Sequence, residues 1–388
     1  MSTERSSSNR VVWILAAIGV SVVCLCGAAA AVVASAALVM TAARQVDQAP
    51  PRPTEPAGQL GEWQLLSDLP RKVNVFLYDP NDPTIVFAGT GVYAEGGSGL
   101  YRSDDGGASW ALAQDGLPDE PVVALGISAD SSVLYANLAV DAMIYASTDG
   151  AQTWHAVGEN PALCCNVPRE LVVDHDDPTR LYLVQPAADL NLSLSTDGGA
   201  TWTRVEDPQD RLRPRTLAQD PQDPARLYLG SNGHGVYVSN DRGQTWELAN
   251  AGMLDAIIVS LAVSPLDGAH VYAGSADGRI YETVDGGGLW RDLSDGLALE
   301  SYERQAVTDL TLNPAHPETL IATVDLAGVL RTDDGGATWE RMAVPQPHPT
   351  RVFPQEAAVA WTFTPELHGL LDLYFVDGEA SGAWLVTP

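Results

Sequence analysis

One eight-residue pattern recurs six times along the 388-residue chain, and it constrains the fold more than any other feature. The copies are SDDGGASW (103–110), STDGAQTW (147–154), STDGGATW (195–202), SNDRGQTW (239–246), TVDGGGLW (283–290) and TDDGGATW (332–339). Their closing tryptophans lie 44, 48, 44, 44 and 49 residues apart. A fixed period of that size marks a repeat architecture rather than a string of unrelated domains. A short apolar run such as GLYR or GVYV precedes each copy, and an alternating stretch such as TWTRV or TWELA follows it. Alternation at period two marks half-buried strands.

The composition of the pattern follows from turn chemistry. Ser or Thr and Asp return their side-chain oxygens to nearby backbone N–H groups and close a tight turn. Gly supplies the positive φ that such a turn requires. Trp then buries a large ring while its indole N–H seeks an acceptor. Each copy therefore reads as a hairpin clamp between two strands. The second copy has Ala151 where the others have Gly, and the fifth has Leu289 where the others have Ser or Thr; both keep the Asp and the Trp.

Over about residues 62–388 the pattern resembles the Asp box, or BNR repeat. That repeat is found in sialidases, xyloglucan-hydrolysing glycosidases, sortilin-like receptors and photosystem II assembly factors. The resemblance implies a β-propeller in which the box joins the third and fourth strands of a blade, on the face opposite the active or binding site. It makes Asp105, Asp149, Asp197, Asp241, Asp285 and Asp334 architectural, together with Trp110, Trp154, Trp202, Trp246, Trp290 and Trp339. Turn chemistry alone assigns the aspartates the same role.

Each repeat reads as four strands, in the first copy 73–79, 84–89, 99–103 and 109–113. Acidic turns such as DPNDP (79–83), DHDDP (174–178) and DPQDP (220–224) join the first two, with ordinary Asp and Pro turn chemistry and no EF-hand spacing. After the last box three more strands follow, 358–364, 371–376 and 382–386, and GEWQLL (61–66) supplies a fourth before the first repeat. The 327 residues of 62–388 give about 47 to each of seven units. The expectation is an all-β, seven-bladed propeller closed by its own N-terminal strand, which leaves no open sheet edge.

The first residues are unlike the rest. Residues 11–43 carry no charge, enough for one transmembrane helix, which serves as an anchor or as an uncleaved signal. Basic residues flanking the run favour a cytoplasmic N-terminus at 1–10 and an extracytoplasmic propeller. Residues 44–61, rich in proline, read as a semi-stiff linker. The formal net charge of −29 argues against nucleic acid and against a basic patch docking on anionic lipid. No cofactor or metal motif is present.

Opposite the boxes, arginines gather in the blade connections. Arg169, Arg211, Arg213, Arg215, Arg304 and Arg351 are candidates to bind a carboxylate, a sulfate or an acidic protein segment through bidentate contacts. Arg169 and Arg215 stand at matching repeat positions, five residues before Asp174 and Asp220. Cys164 and Cys165 are adjacent and outside the apolar run, a candidate vicinal disulfide. Tyr302 and Glu303, with Asp119 or Asp141 as acid, form a possible glycosidase constellation, but the Phe/Tyr-Arg-Ile-Pro motif of sialidases is absent and no catalytic residue is assigned. The favoured reading is a membrane-anchored binding or assembly module for a protein or glycan partner. The alternative is a glycoside hydrolase, sialidase-like or xyloglucanase-like, acting on extracellular glycans.

Overall fold

A computed structural model describes residues 63–66, 69, 73–91, 99–141, 143–159, 161, 170–185, 191–205, 212–254, 257–297, 306–325, 327–342, 359–363, 367–373 and 382–386. Among them the chain is all-β apart from one 3-10 turn at Ser294–Leu297. Its strands form seven four-stranded antiparallel sheets. Six are built from consecutive strands, and each of these carries one box. Blade 1 runs Val73–Tyr78, Val86–Thr90, Gly99–Ser103 and Ala111–Leu112. Blades 2 to 6 repeat that order from Val122–Ile127, Glu170–Val173, Pro214–Gln219, Ile258–Val263 and Val307–Leu312.

The seventh sheet is composite. Val359–Phe363, Leu367–Leu373 and Gly382–Val386 come from the end of the chain, and Trp63–Leu65 completes the sheet. Trp63 pairs with Val386, Gln64 with Leu385 and Leu65 with Trp384. This sheet has no box, since both chain ends meet where a third-to-fourth hairpin stands in the other blades. One strand differs from the expectation: 371–376 is replaced by Leu367–Leu373. Phe363 pairs with Leu367. His368 and Gly369 interrupt the apolar alternation and hid the start of the strand.

The burial gradient across each blade is that of a ring of packed sheets. Every residue of the second strand is buried in all six consecutive blades, while the two-residue fourth strands, such as Ala111–Leu112 and Glu247–Leu248, are exposed. Cores lie between neighbouring sheets: Phe87 and Leu100 of blade 1 pack with Leu125 and Leu134 of blade 2, and Tyr272 and Ile280 of blade 5 with Leu310 and Leu320 of blade 6. The sheets approach closely because small residues sit on the second strands. A Cβ on Gly230 would lie 2.7 Å from Ile258 of the next blade, and one on Gly274 would lie 2.8 Å from Val307.

Two local features orient the blades. The N–H of Gly106 donates to the Thr84 carbonyl (2.8 Å) and that of Gly198 to the Thr179 carbonyl (2.8 Å), and Arg242, Gly286 and Gly335 make the matching bond, so in these blades the box lies beside the first-to-second turn. Boxes and acidic turns thus share one side, and second-to-third loops lie on the other. On that other side the first strand bulges in five blades, at Val73/Val75, Val122/Ala124, Pro214/Thr216, Ile258/Ser260 and Val307/Asp309. The expected transmembrane span at 11–43 and the linker at 44–61 lie outside the described residues; among the described residues no helix is long and apolar enough to cross a membrane.

Candidate functional site

The box side is occupied by its own hydrogen bonds. In the second box Ser147 Oγ accepts the Ala151 N–H (3.0 Å) and donates to Asp149 Oδ1 (2.8 Å). Thr153 completes the turn, its N–H reaching Oδ1 at 2.9 Å and its hydroxyl Oδ2 at 2.6 Å. The Thr153 hydroxyl, then its N–H, hold Asp149 down to about 2. Asp105, Asp197, Asp241 and Asp334 make the same set of bonds. Asp285 lacks the hydroxyl bond because Leu289 offers only its N–H (2.9 Å). These carboxylates are permanently charged and internally bonded, which suits a clamp and not proton transfer.

Five of the six box tryptophans divide into two groups, and the indole N–H of the sixth, Trp339, is buried without a hydrogen-bond partner among the described residues. Trp110, Trp202 and Trp246 donate to their own box carbonyls at Gly107, Gly199 and Gly243 (2.8, 3.0 and 3.1 Å). Trp154 and Trp290 instead reach the preceding blade, at Ala113 (3.1 Å) and Ala249 (2.7 Å). Second-strand tyrosines add further links between blades: Tyr135 donates to the Pro178 carbonyl (2.9 Å) and Tyr228 to the Gly268 carbonyl (2.8 Å). A groove of about 460 Å³ on this side, between blades 1 and 2, is lined by Arg102, Asp104, Gln114 and Gln152. Arg102 is already engaged by Asp104 (2.7 Å) and the Gly150 carbonyl.

On the opposite side, Arg213 and Arg215 open the first strand of blade 4. Arg213 is exposed, adopts φ 38° and has no ion pair among the described residues. A positive φ directly before Pro214 is a strained backbone. It is pinned by the Asn232 N–H, which donates to the Arg213 carbonyl at 2.8 Å. Arg215 is half-buried and stands in the bulge between Pro214 and Thr216. Beside them the loop 232–235 carries His234, whose Nδ1 is buried without a hydrogen-bond partner. The Asn250 amide donates to the His234 carbonyl (3.1 Å) and holds that loop. Arg169, Arg211, Arg304, Arg351, Tyr302, Glu303, Cys164 and Cys165 lie outside the described residues.

Asn232 and Asn250 hold the backbone of Arg213 and of His234, and each is a single polar residue in a short loop that no motif marks. Blade 2 holds a second polar group. Tyr145 donates to Asp141 Oδ2 (2.6 Å), and the Asp141 N–H donates to Glu120 Oε2 (2.7 Å). Burial, then the Asp141 bond, push Tyr145 up to about 12, so it is a donor and not a nucleophile. Asp141, a candidate acid on paper, acts here as its acceptor. Asp309 on the first strand of blade 6 is pushed up to about 6 by burial, opposed by the Thr311 hydroxyl. An acid inside the run VTDLTL was its sequence signal.

The BNR/Asp-box repeat family matches residues 237–248, the fourth box and the strands around it. No curated protein matches the chain by sequence. Among solved structures, the GH74 xyloglucanase from Xanthomonas campestris aligns with TM-score 0.62 at 18% identity, over 84% of this chain and 53% of that one. The chain therefore spans about half the length of that enzyme. YCF48 bound to D1 peptide aligns with TM-score 0.58 at 18% identity, over 84% of this chain and 95% of that one. YCF48 from Cyanidioschyzon merolae gives 0.57 at 15%, over 84% and 98%. At these identities the likeness is one of fold. Six hydrogen-bonded boxes on four-stranded sheets, the repeat match and these neighbours agree: the chain has a β-propeller fold and carries the Asp-box, or BNR, repeat.

Proposed function

We propose that the protein is a binding or assembly module that takes a protein segment on the side opposite its boxes. The observation that carries this reading is Arg213, exposed on a strained backbone held by Asn232, with Arg215 one residue beyond its neighbour Pro214. Strain retained at an exposed cation points to a site, and guanidinium groups suit carboxylates. YCF48, which aligns over 95% of its own length, is a single chain of similar extent solved with a bound peptide. The composite sheet is read as the seventh, closing blade. Residues 11–43 are read as a membrane anchor with 1–10 cytoplasmic, 44–61 as its linker and 62–388 as an extracytoplasmic propeller. Their support is the uncharged run and the flanking basic residues.

The second reading, a glycosidase, has the GH74 alignment in its favour. Against it, Tyr145 is bonded to the Asp141 carboxylate and Glu120 to the Asp141 N–H, so this polar group on the open side is spent internally. The full chain in detergent separates the two. For binding, an immobilised panel of Asp- and Glu-rich peptides is retained by the wild type, and retention falls at least tenfold in Arg213→Ala with Arg215→Ala and weakens with added salt. Hydrolysis of xyloglucan or chromogenic glycosides, abolished by Glu303→Gln, would reverse the assignment.

A further inference from the structure

On the open side, blades 4 and 5 are tied together by their loops. The connection that leaves blade 4 is fastened to loop 232–235 at two places. At the first, the Asn250 amide donates to the His234 carbonyl (3.1 Å), and Met253 packs beside Gly235, where a Cβ would lie 3.5 Å from its sulfur. At the second, Ile257 forms an antiparallel bridge with Asn232, and the Ala276 N–H donates to the Ile257 carbonyl (2.8 Å). Asn232 is also the residue whose N–H holds the Arg213 carbonyl. Arg213, Asn232 and Ile257 are therefore successive backbone segments of one ladder that crosses the blade boundary. Two aliphatic side chains stand out from this platform, Leu254 at 59% and Ile257 at 38% exposure.

The cation beside them sets these two apart from other exposed aliphatic residues. Leu112 lines the groove in which Asp104 already engages Arg102. Leu248 stands on an outer fourth strand, and Leu266, Val284 and Leu289 stand at a box end. Val140 is on the open side but next to Asp141, whose N–H is bonded to Glu120. Arg213, by contrast, is exposed and has no ion pair among the described residues. Neighbouring segments of a ladder stand about 4.8 Å apart, which puts the Ile257 backbone about 10 Å from that of Arg213. An extended peptide advances about 3.3 Å per residue, so a segment lying across the ladder meets both positions with side chains about two to four residues apart. We propose that this platform takes an acidic–aliphatic peptide segment, with an Asp or Glu carboxylate on the Arg213 guanidinium and a nearby Leu, Ile or Val side chain packed on Leu254 and Ile257. The two contacts are complementary. An exposed ion pair orients a ligand but contributes little affinity, whereas aliphatic burial contributes affinity without direction. The inference rests on the open side being the binding face, as read above, and narrows the partner to segments that carry both groups.

Fluorescence anisotropy with the full chain in detergent tests it. Three labelled Gly/Ser peptides are compared: one with an Asp pair, one with the same pair and a Leu within the spacing given above, and one with that Leu at the far end. The wild type is expected to bind the second about tenfold more tightly than the other two, the order expected when an aliphatic side chain is partly buried. Leu254→Ser with Ile257→Ser removes that advantage and leaves the affinity for the Asp-only peptide in place, which also shows that the variant is folded. Val140→Ser changes neither, and Arg213→Ala weakens all three. Equal affinity of the wild type for the three peptides overturns the proposal and leaves the binding face intact. A Leu advantage that survives Leu254→Ser with Ile257→Ser, or an Arg213→Ala chain that binds as tightly as the wild type, overturns it as well. Binding of none of the peptides overturns both the proposal and the reading on which it rests.

Discussion

At the scale of the residue, the fifth box isolates what one hydroxyl contributes. Asp285 keeps the Thr283 hydroxyl (2.7 Å) and the Leu289 N–H (2.9 Å) but lacks the third partner of the other boxes. Leu289→Thr supplies it and should stabilise the chain by about 0.5–1.5 kcal/mol, the net value of a typical hydrogen bond; urea unfolding measures it, and no gain would show that the box is held by its backbone alone. Asp309 presents the reverse case. Burial lifts it from 3.8 to about 6, so between those values the native chain holds a proton that the unfolded chain has lost. Its contribution is full below pH 4 and is lost as the pH rises through 6. Asp309→Asn should therefore gain about 2 kcal/mol relative to the wild type at pH 7.5 and little at pH 4. A difference independent of pH would mean that the carboxyl titrates normally.

At the scale of the element, the fourth box shows how neighbouring blades are tied. Arg242 takes φ 59° where the other boxes place Gly, and its guanidinium donates to both oxygens of Asp174 in blade 3 (2.6 Å each). Asp174 is fully buried and also accepts from Tyr182 (3.2 Å) and Gln219 (2.9 Å). Arg242→Gly relieves the backbone but strands a buried carboxylate, so a net loss of about 2–4 kcal/mol is expected. Asp174→Asn in the same chain should recover part of it. A neutral or stabilising Arg242→Gly would make backbone strain the larger effect. The turn itself was legible from the sequence, because Ser, Asp, Gly and Trp act on neighbours within eight residues. What Arg242 and the second-strand tyrosines reach lies one repeat away, and period-two or turn reasoning carries no information about that partner. Strand positions in repeated blades were readable for the same local reason. The terminal strand Leu367–Leu373 was misplaced because His368 and Gly369 break the pattern on which the reading depended.

At the scale of the molecule, the account requires the chain ends to meet. Period and strand count predicted that Trp63 would lie beside 382–386, and the pairing of Trp63 with Val386 places it there. The site was less legible. Arg213 and Arg215 could be named as cations in a connection, but neither the strain at Arg213 nor the Asn232 contact that holds it is written in residue type. The closure can be tested by oxidation. Gln64 and Leu385 are paired across two antiparallel strands, where Cα atoms stand about 4.5–5.5 Å apart, within disulfide range. In a chain whose four native cysteines are replaced by Ala, Gln64→Cys with Leu385→Cys should oxidise to an intramolecular disulfide in the folded monomer and raise the unfolding temperature, since the link spans nearly the whole propeller. Failure to oxidise while folded, or crosslinking only between chains, would contradict a ring sealed by its own ends.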